Sequence, residues 1–234
     1  MTAPARPVPR GPDTSWHQAF IVENTRLLAP PHVPEICLHL AEESLPIWQK
    51  TEEELGEMNV PPPYWAFAWA GGQALARYLL DHPDEVKAKT VLDLGSGSGL
   101  TGIAAMRAGA RSVLAADIDT MALTALSLNA ARNGVNLEAT GEDLLDGPPG
   151  DHGVVLVGDL FYERELAEKV LAYIRRATAN GARVLIGDPQ RNYFPKGLFE
   201  QVAEYQVPVT RELEDALIKR TAVWAMTPPP SAGR

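Results

Sequence analysis

The chain has 234 residues, 45% hydrophobic and 22% charged, and its 21 Lys and Arg against 30 Asp and Glu leave a net charge of −9 with histidine neutral. This is the composition of an ordinary globular protein. No apolar run approaches the roughly 20 residues of a membrane span, and the acidic balance without a Lys/Arg stripe argues against binding along a nucleic-acid backbone. The single Cys37 excludes an intramolecular disulfide framework or a cysteine-based zinc cluster and points to a reducing compartment: the cytoplasm, or the mitochondrial matrix in a eukaryotic source.

Pro4, Pro7, Pro9 and Pro12 mark residues 1–12 as an extended tail, and Pro228, Pro229 and Pro230 do the same for 228–234. Between 13 and 63 an N-terminal extension is expected. Asp13, Thr14 or Ser15 caps a helix running to about Leu28, stopped by Pro30-Pro31. A strand over Pro34–Ala41 and an acidic helix over Pro46–Met58 follow, and Pro61-Pro62-Pro63 closes the unit.

From 64 to 227 the pattern is regular. A helix over Ala70–Leu80 ends before His82-Pro83. Strands are predicted at Thr90–Leu94, Ser112–Ala116, Gly153–Val157 and Ala182–Ile186, with helices at Leu100–Arg107, Thr120–Asn133 and Glu163–Ala179. Such alternation builds βαβ units, so the fold class is α/β: a doubly wound, mostly parallel sheet covered on both faces. Lys196–Glu204 reads as a helix. Tyr205–Thr210 and Leu217–Met226 read as strands close enough to pair antiparallel in a C-terminal hairpin.

The strongest motif is Val91-Leu92-Asp93-Leu94-Gly95-Ser96-Gly97-Ser98-Gly99. An apolar strand runs into alternating glycines and a helix begins at once, giving a tight turn, close backbone approach and free N–H groups at a helix start. Gly97, Gly99 and Gly102 also satisfy G-x-G-x-x-G, and Asp117 lies 20 residues beyond Gly97, so spacing alone admits a dinucleotide. Asp93 argues otherwise. A carboxylate at that point repels a pyrophosphate yet can hold an amino-acid ammonium, which S-adenosylmethionine carries without any phosphate.

On these residues the chain resembles the seven-β-strand S-adenosylmethionine-dependent methyltransferases, with Val113-Leu114-Ala115-Ala116-Asp117 as the acidic end of their second strand. The resemblance implies a Rossmann-like seven-stranded sheet and S-adenosyl-L-methionine as cofactor. It implies that Asp117 accepts the ribose hydroxyls with Ile118 beside it, and that Asp93 and the Gly95, Ser96, Gly97 and Gly99 backbone line the methionine end. It also implies that an acid after the third strand meets the adenine amino group, a role for which Asp143 is the choice, its other reading being a loop acid. Asp119 is a rival for the ribose but is expected to cap the helix from Thr120.

A narrower resemblance rests on Pro61-Pro62-Pro63-Tyr64-Trp65-Ala66-Phe67-Ala68-Trp69-Ala70-Gly71-Gly72-Gln73 and on Gly158-Asp159-Leu160-Phe161-Tyr162. Both look like the protein-lysine methyltransferases bearing an Asp/Glu-x-x-Phe/Tyr motif, and within them the enzymes acting on the electron transfer flavoprotein β subunit. The implied partner is a protein with an exposed lysine, that subunit first, with no nucleic acid and no membrane. Another protein such as a ribosomal one, or a small amine, stays open as substrate. A nicotinamide-dependent oxidoreductase and a non-catalytic cofactor-binding module remain as rivals of other classes.

Methyl transfer to lysine is an in-line displacement on an amine whose reference pKa is near 10.4, so geometry and deprotonation decide the rate. Asp159 is the candidate to orient the amine and to border the cofactor. Tyr162 offers a π face worth roughly 0.5–2 kcal/mol to a cation. The competing reading has Asp159 capping a helix from Phe161 with Tyr162 packed beneath it. Trp65, Phe67 and Trp69 at period two suggest an extended segment with one aromatic face, Trp69 against the methionine part and Trp65 or Phe67 near the lysine entrance. Core packing is at least as good a reading for Phe67. Gly72 and Gln73 border the cofactor in the same scheme. Asp188 and Arg191, ending the fifth strand, either form an ion pair shaping the substrate groove or fix their loop. The five histidines show no metal-ligand spacing.

Overall fold

The computed structural model describes residues 14–41, 62–209 and 217–226. The strands β3 (Thr90–Leu94), β4 (Ser112–Ala116), β5 (Glu138–Thr140), β6 (Val154–Gly158), β7 (Arg183–Asp188), β8 (Phe199–Pro208) and β9 (Ile218–Met226) form one sheet in the order β5-β4-β3-β6-β7-β9-β8. The five strands from β5 to β7 run parallel, while β9 is antiparallel to both β7 and β8. The Rossmann-like sheet with its antiparallel C-terminal hairpin is therefore present as expected.

Period-two alternation assigns the two faces. In β6, Val154 and Leu156 join Leu75 and Leu79 of α2 (Ala70–Asp81) together with Ala105 of α3 (Leu100–Arg107). Val155 and Val157 point the other way, into Val170 and Ile174 of α5 (Arg164–Ala179). All of these side chains are buried, each of the valines, leucines and isoleucine worth about 1.5–3 kcal/mol. The fourth helix, α4 (Thr120–Arg132), begins at Asp119, whose side chain accepts from the Met121 N–H at 2.8 Å, the capping role expected of it.

The N-terminal extension departs from the sequence reading in two places. Helix α1 (Thr14–Asn24) stops four residues before Leu28, because Asn24 Nδ2 and Thr25 Oγ1 turn back onto the carbonyls of Phe20 and Ile21. The next residues pair as a two-stranded antiparallel ribbon, β1 (Arg26–Leu28) with β2 (Leu38–Leu40), shorter than the strand expected over 34–41. The ribbon is not a separate core. Ile36, Leu38 and Leu40 pack on Ala76, Leu100 and Ile103, and Phe20 and Ile21 pack on α4 through Met121, Ala122 and Ala125. The acidic helix over 46–58 and both proline tails lie outside the described residues.

Residues 199–204 of the helix expected over Lys196–Glu204 form instead the first half of β8. A register shift between Gln201 and Ala203 marks a bulge there. It puts Val202 and Ala203 both half-buried in sequence, so the alternation that identifies a strand is broken.

One contact fixes α2 over the sheet. A Cβ built on Gly71 would overlap the Gly187 carbonyl oxygen, and one built on Gly187 would overlap the Gly71 carbonyl oxygen. The two backbones touch because neither residue has a side chain. Gly71→Ala or Gly187→Ala is expected to lower stability by about 1–3 kcal/mol in denaturant titration. Gly72→Ala, whose Cβ would meet only Leu100 Cδ2 at 4.0 Å, should cost less than about 1 kcal/mol.

Candidate active site

The chain reverses its direction across the sheet between β3 and β6, and the carboxyl ends of these strands open a cleft of about 620 Å³. Loops leaving neighbouring strands diverge there, which is why doubly wound sheets hold ligands at that point. Leaving β3, Gly95, Gly97 and Gly99 have φ of 66°, 50° and 82°, left-handed values that an L side chain resists. The loop is held from two sides. Asp117 Oδ2 accepts from the Gly97 N–H at 2.8 Å, and the buried Asn129 amide donates to the Ser98 carbonyl at 2.8 Å. Asn129 also accepts from the His39 N–H at 2.7 Å, so α4 links the N-terminal ribbon to the glycine loop.

Asp117 and the 72% exposed Ile118 lie in the cleft wall, as does Asp143, whose Oδ1 accepts from the Leu145 N–H at 3.0 Å. Burial raises the carboxyls of Asp117 and Asp119 above the usual range, and the charge of Asp117 adds to the shift of Asp119. The acids of the wall, Asp117, Asp119, Glu142, Asp143, Asp159, Glu163 and Glu165, face two bases, Lys169 and Arg191. That balance disfavours a pyrophosphate and suits a cationic ligand. Among the described residues, the buried polar atoms without a hydrogen-bond partner include Ser96 Oγ in the glycine loop and Trp65 Nε1 in the wall. Carboxylates for hydroxyls and an ammonium, and apolar side chains such as Leu94, Ile118 and Leu144 for a purine, fit S-adenosylmethionine.

Asp93 is not part of the wall. Its carboxylate is fully enclosed, with Oδ1 accepting from Thr101 Oγ1 at 2.5 Å and Oδ2 from the Gly102 N–H at 2.9 Å. Both oxygens are used to anchor α3 on β3, and burial pushes the carboxyl up to about 6. The direct ammonium contact expected of Asp93 is thus replaced by a helix anchor. Ser96 and Gly99 likewise sit in the loop behind the wall, whereas Gly95 and Gly97 form part of it.

At the other end of the cleft Asp159 follows β6 with φ 57°, an uncommon left-handed value for a side-chain-bearing residue. Its Oδ2 accepts from the Gly72 N–H at the start of α2 at 2.8 Å, and its Oδ1 meets Arg191 Nη2 at 2.7 Å. The helix after it begins at Arg164 with Glu163 as the preceding residue, so Asp159 caps α2 rather than its own helix. Tyr162 is 44% exposed and stands in the wall; burial and the neighbouring Tyr64 raise its phenol. Tyr64 lies 5.8 Å from Tyr162 and 6.2 Å from Trp69 between ring centroids, completing an aromatic wall.

The aromatic run is not an extended strand. Tyr64–Ala66 is a 3₁₀ turn that rotates Trp65 into the core beneath the cleft, next to Met121 and Ala122, and leaves Tyr64 outside. Phe67 is core as well and does not line the cleft, so the substrate-entrance role proposed for it is not supported by its position. Trp69 does line it, with Nε1 donating to the Tyr64 carbonyl at 2.9 Å. Gln73 is buried away from the cleft, bonded to Ala68 and His32. Tyr64 escaped the sequence reading because period two put Trp65 on the exposed face; the proline run before it is the signal for a tight turn.

Of the two readings of Asp188 and Arg191, the loop-fixing one holds and the ion pair between them does not form. Asp188 Oδ1 accepts from the Arg191 backbone N–H at 2.7 Å, while the guanidinium goes to Asp159. Asp188 is completely buried behind the cleft, its Oδ2 without a partner. Burial, with the charge of Asp159, pushes its carboxyl up to about 7.

A family model described as ribosomal protein L11 methyltransferase (PrmA) matches residues 73–157. The electron transfer flavoprotein beta subunit lysine methyltransferase of Rattus norvegicus is 38% identical over 218 residues, covering 90% of this chain and 84% of that protein. Its Xenopus laevis counterpart is 35% identical over 228 residues, covering 94% and 91%. Magnesium protoporphyrin IX methyltransferase from Synechocystis PCC 6803, solved with bound S-adenosylmethionine, superposes with a TM-score of 0.51 at 18% identity over 80% of this chain and 87% of that one, which establishes a shared fold. No helix among the described residues is long and apolar enough to cross a membrane.

The burial of Asp188 has a consequence for stability. Its folded carboxyl titrates near 7, above an unfolded value of about 3.9, so the native state holds a proton that the unfolded chain has released. Its contribution to stability therefore declines as pH rises from about 4 to about 7. Asp188→Asn removes that titration. The stability of the variant relative to the native protein should improve as pH rises from about 4 to about 7 in paired denaturation curves, and a constant difference would contradict the assignment.

Proposed function

The chain belongs to the electron transfer flavoprotein β-subunit lysine methyltransferase family, and from that membership we propose that it methylates lysine side chains of an electron transfer flavoprotein β subunit. It is an S-adenosylmethionine-dependent methyltransferase. The observation that carries the substrate reading is the buried Asp159 carboxylate beside the Tyr64–Trp69–Tyr162 wall, at the end of β6 and in the same cleft as Asp117. The single cysteine favours a reducing compartment, the cytoplasm or the mitochondrial matrix.

In this reading Asp117 accepts the ribose hydroxyls, Asp143 the adenine amino group, and Ile118 covers the purine. The Gly95 and Gly97 backbone lines the methionine end, its N–H groups already engaged by Ala116 and Asp117, and Trp65 Nε1 stands there as an unpartnered donor. The bound cofactor supplies a methyl group on a sulfonium, open to in-line attack. The protein's part is to bring a neutral amine to that carbon on the correct line and to exclude water. Asp159, rigid because both its oxygens are engaged, accepts one amine N–H and so aims the lone pair. The aromatic rings hold the lysine methylenes and accept the cation of the methylated product on their faces.

Two measurements test this. S-adenosylmethionine and S-adenosylhomocysteine should each raise Tm while NAD leaves it unchanged, and Asp117→Ala should abolish the shift with the fold retained. Purified electron transfer flavoprotein β subunit incubated with enzyme and labelled cofactor should gain methyl groups on lysine by mass spectrometry. Asp159→Asn should reduce that rate at least about 100-fold with little change in S-adenosylhomocysteine affinity. Label appearing in a ribosomal protein or a small amine instead would replace the substrate while leaving methyl transfer intact.

A further inference from the structure

We propose that Arg191 is a positioning residue for the transfer: by holding the Asp159 carboxylate in a permanent ion pair, it lets the target lysine dock there as the neutral amine that attacks. This rests on the lysine methyltransferase reading given above. Arg191 Nε and Nη2 reach Asp159 Oδ1 at 2.9 and 2.7 Å, and the guanidinium carbon lies 5.4 Å from the Trp69 ring centroid. The two side chains are only 17% and 9% exposed. The guanidinium thus occupies both features, carboxylate and indole face, that an incoming lysine cation would seek.

The backbone shows that this guanidinium belongs to the site rather than to a free arm. The Arg191 N–H donates to Asp188 Oδ1 at 2.7 Å, and its carbonyl accepts from the Phe194 N–H at 2.9 Å. The Tyr193 N–H donates to the Phe161 carbonyl at 3.0 Å, tying the turn to the segment that carries Asp159. Gln190, one residue earlier, is held at φ 65°. On the other oxygen of Asp159 the N–H at the positive start of α2 adds to the compensation.

The charge state of the pair matters because of what lysine must lose. A bare carboxylate favours the ammonium form of a neighbouring amine, and ammonium has no lone pair. A carboxylate already matched by a guanidinium presents an acceptor with little net charge, so the proton is released to solvent as lysine enters. The amine nitrogen then forms the new N–C bond as the donor C–S bond breaks, its electron pair leaving on sulfur. The resulting methylammonium returns to solvent or gives up its proton there.

Other ionisable groups surround the pair. Asp188, at the end of β7 and behind the cleft, interacts with Asp159 and Arg191, and Tyr64 from the 3₁₀ turn, Glu163 ahead of α5 and Asp117 after β4 act on Tyr162; α2 contributes the Gly72 N–H to Asp159. Asp188 titrates within the working pH range, so its own effect is separated with Asp188→Asn.

The test uses the full-length protein with S-adenosylhomocysteine or S-adenosylmethionine and purified electron transfer flavoprotein β subunit, comparing native protein, Arg191→Met, Arg191→Lys and Asp188→Asn. Three quantities are read: the Kd of S-adenosylhomocysteine by calorimetry, kcat/KM between about pH 6 and pH 10, and the pKa of the target amine in the S-adenosylhomocysteine complex from NMR of ε-¹³C-lysine. Arg191→Met should keep the Kd within about threefold and move both the kinetic rise and the amine pKa up by at least about one pH unit, with Arg191→Lys in between and Asp188→Asn leaving the alkaline limb in place. An equal rate loss at every pH, with the amine pKa unmoved, would reduce Arg191 to a structural brace. A lower KM with an unmoved profile would make it a seat-holder that lysine displaces. Either result overturns the proposal. Failure of the native protein to bind S-adenosylhomocysteine or to label lysine would overturn the underlying reading instead, through measurements that do not involve Arg191. If Arg191→Met is unfolded by circular dichroism, Arg191→Lys alone decides, since an unmoved amine pKa in a weakened pair counts against the proposal.

Discussion

Three separate pieces of the chain meet at the carboxylate of Asp159: the end of β6 that bears it, the first turn of α2 through the Gly72 N–H, and the turn after β7 through Arg191. The meeting is possible only because α2 enters with no side chain in the way. A Cβ on Gly71 would lie 2.6 Å from Asp159 Oδ2 as well as overlapping Gly187. The positive φ of Asp159 belongs to the same constraint, since it turns the side chain out of the strand direction and back toward the helix start. Strain of this kind persists when surrounding contacts over-determine it, and here hydrogen bonds from two elements do so.

This arrangement makes the geometry of the cleft a consequence of the fold's packing rather than of flexible loops. The glycine loop is held by Asp117 and Asn129, the aromatic wall by the Trp69–Tyr64 hydrogen bond, and the acidic end by α2 and the β7 turn. Each fastening joins a cleft residue to an element whose other face is buried in one of the apolar clusters. Displacing an element by even a fraction of an ångström therefore misplaces a polar group of the cleft, and in-line transfer is sensitive to such errors.

Much of this was legible in the sequence, and for identifiable reasons. The parallel strands are apolar runs followed by helices of ordinary length, so β3, β4, β6 and β7 and the helices between them stand within a residue or two of their expected limits. The glycine loop declared itself because positive φ demands glycine at three alternating positions. What failed were readings that depend on pairing or on a change of period. The bulge in β8 erased the alternation of an edge strand, and the 3₁₀ turn at Tyr64–Ala66 exchanged the inner and outer aromatics. Long-range polar contacts had no local signal at all: Asp93 was read as facing a ligand when it anchors α3, and nothing near Arg191 pointed to Asp159, 32 residues back, as the partner of its guanidinium.

These displaced roles also explain how so acidic a protein can handle a substrate whose reactive form is uncharged. Asp93 and Asp188 are buried acids raised to about 6 and about 7, and they serve helix and turn anchoring behind the cleft. Asp117, Asp119 and Asp143 leave β4 and β5 and face the cleft. There negative charge suits hydroxyls, an ammonium and a sulfonium, and a surplus of it helps to draw a cationic lysine toward the mouth. Near the aromatic rings the demand is opposite, because a strong negative field would keep the amine protonated. The carboxylate at that end, Asp159, is the one that comes with a guanidinium and a helix start attached. In the proposed reading, attraction at a distance and deprotonation at contact fall to different acids, according to where the sheet ends each strand.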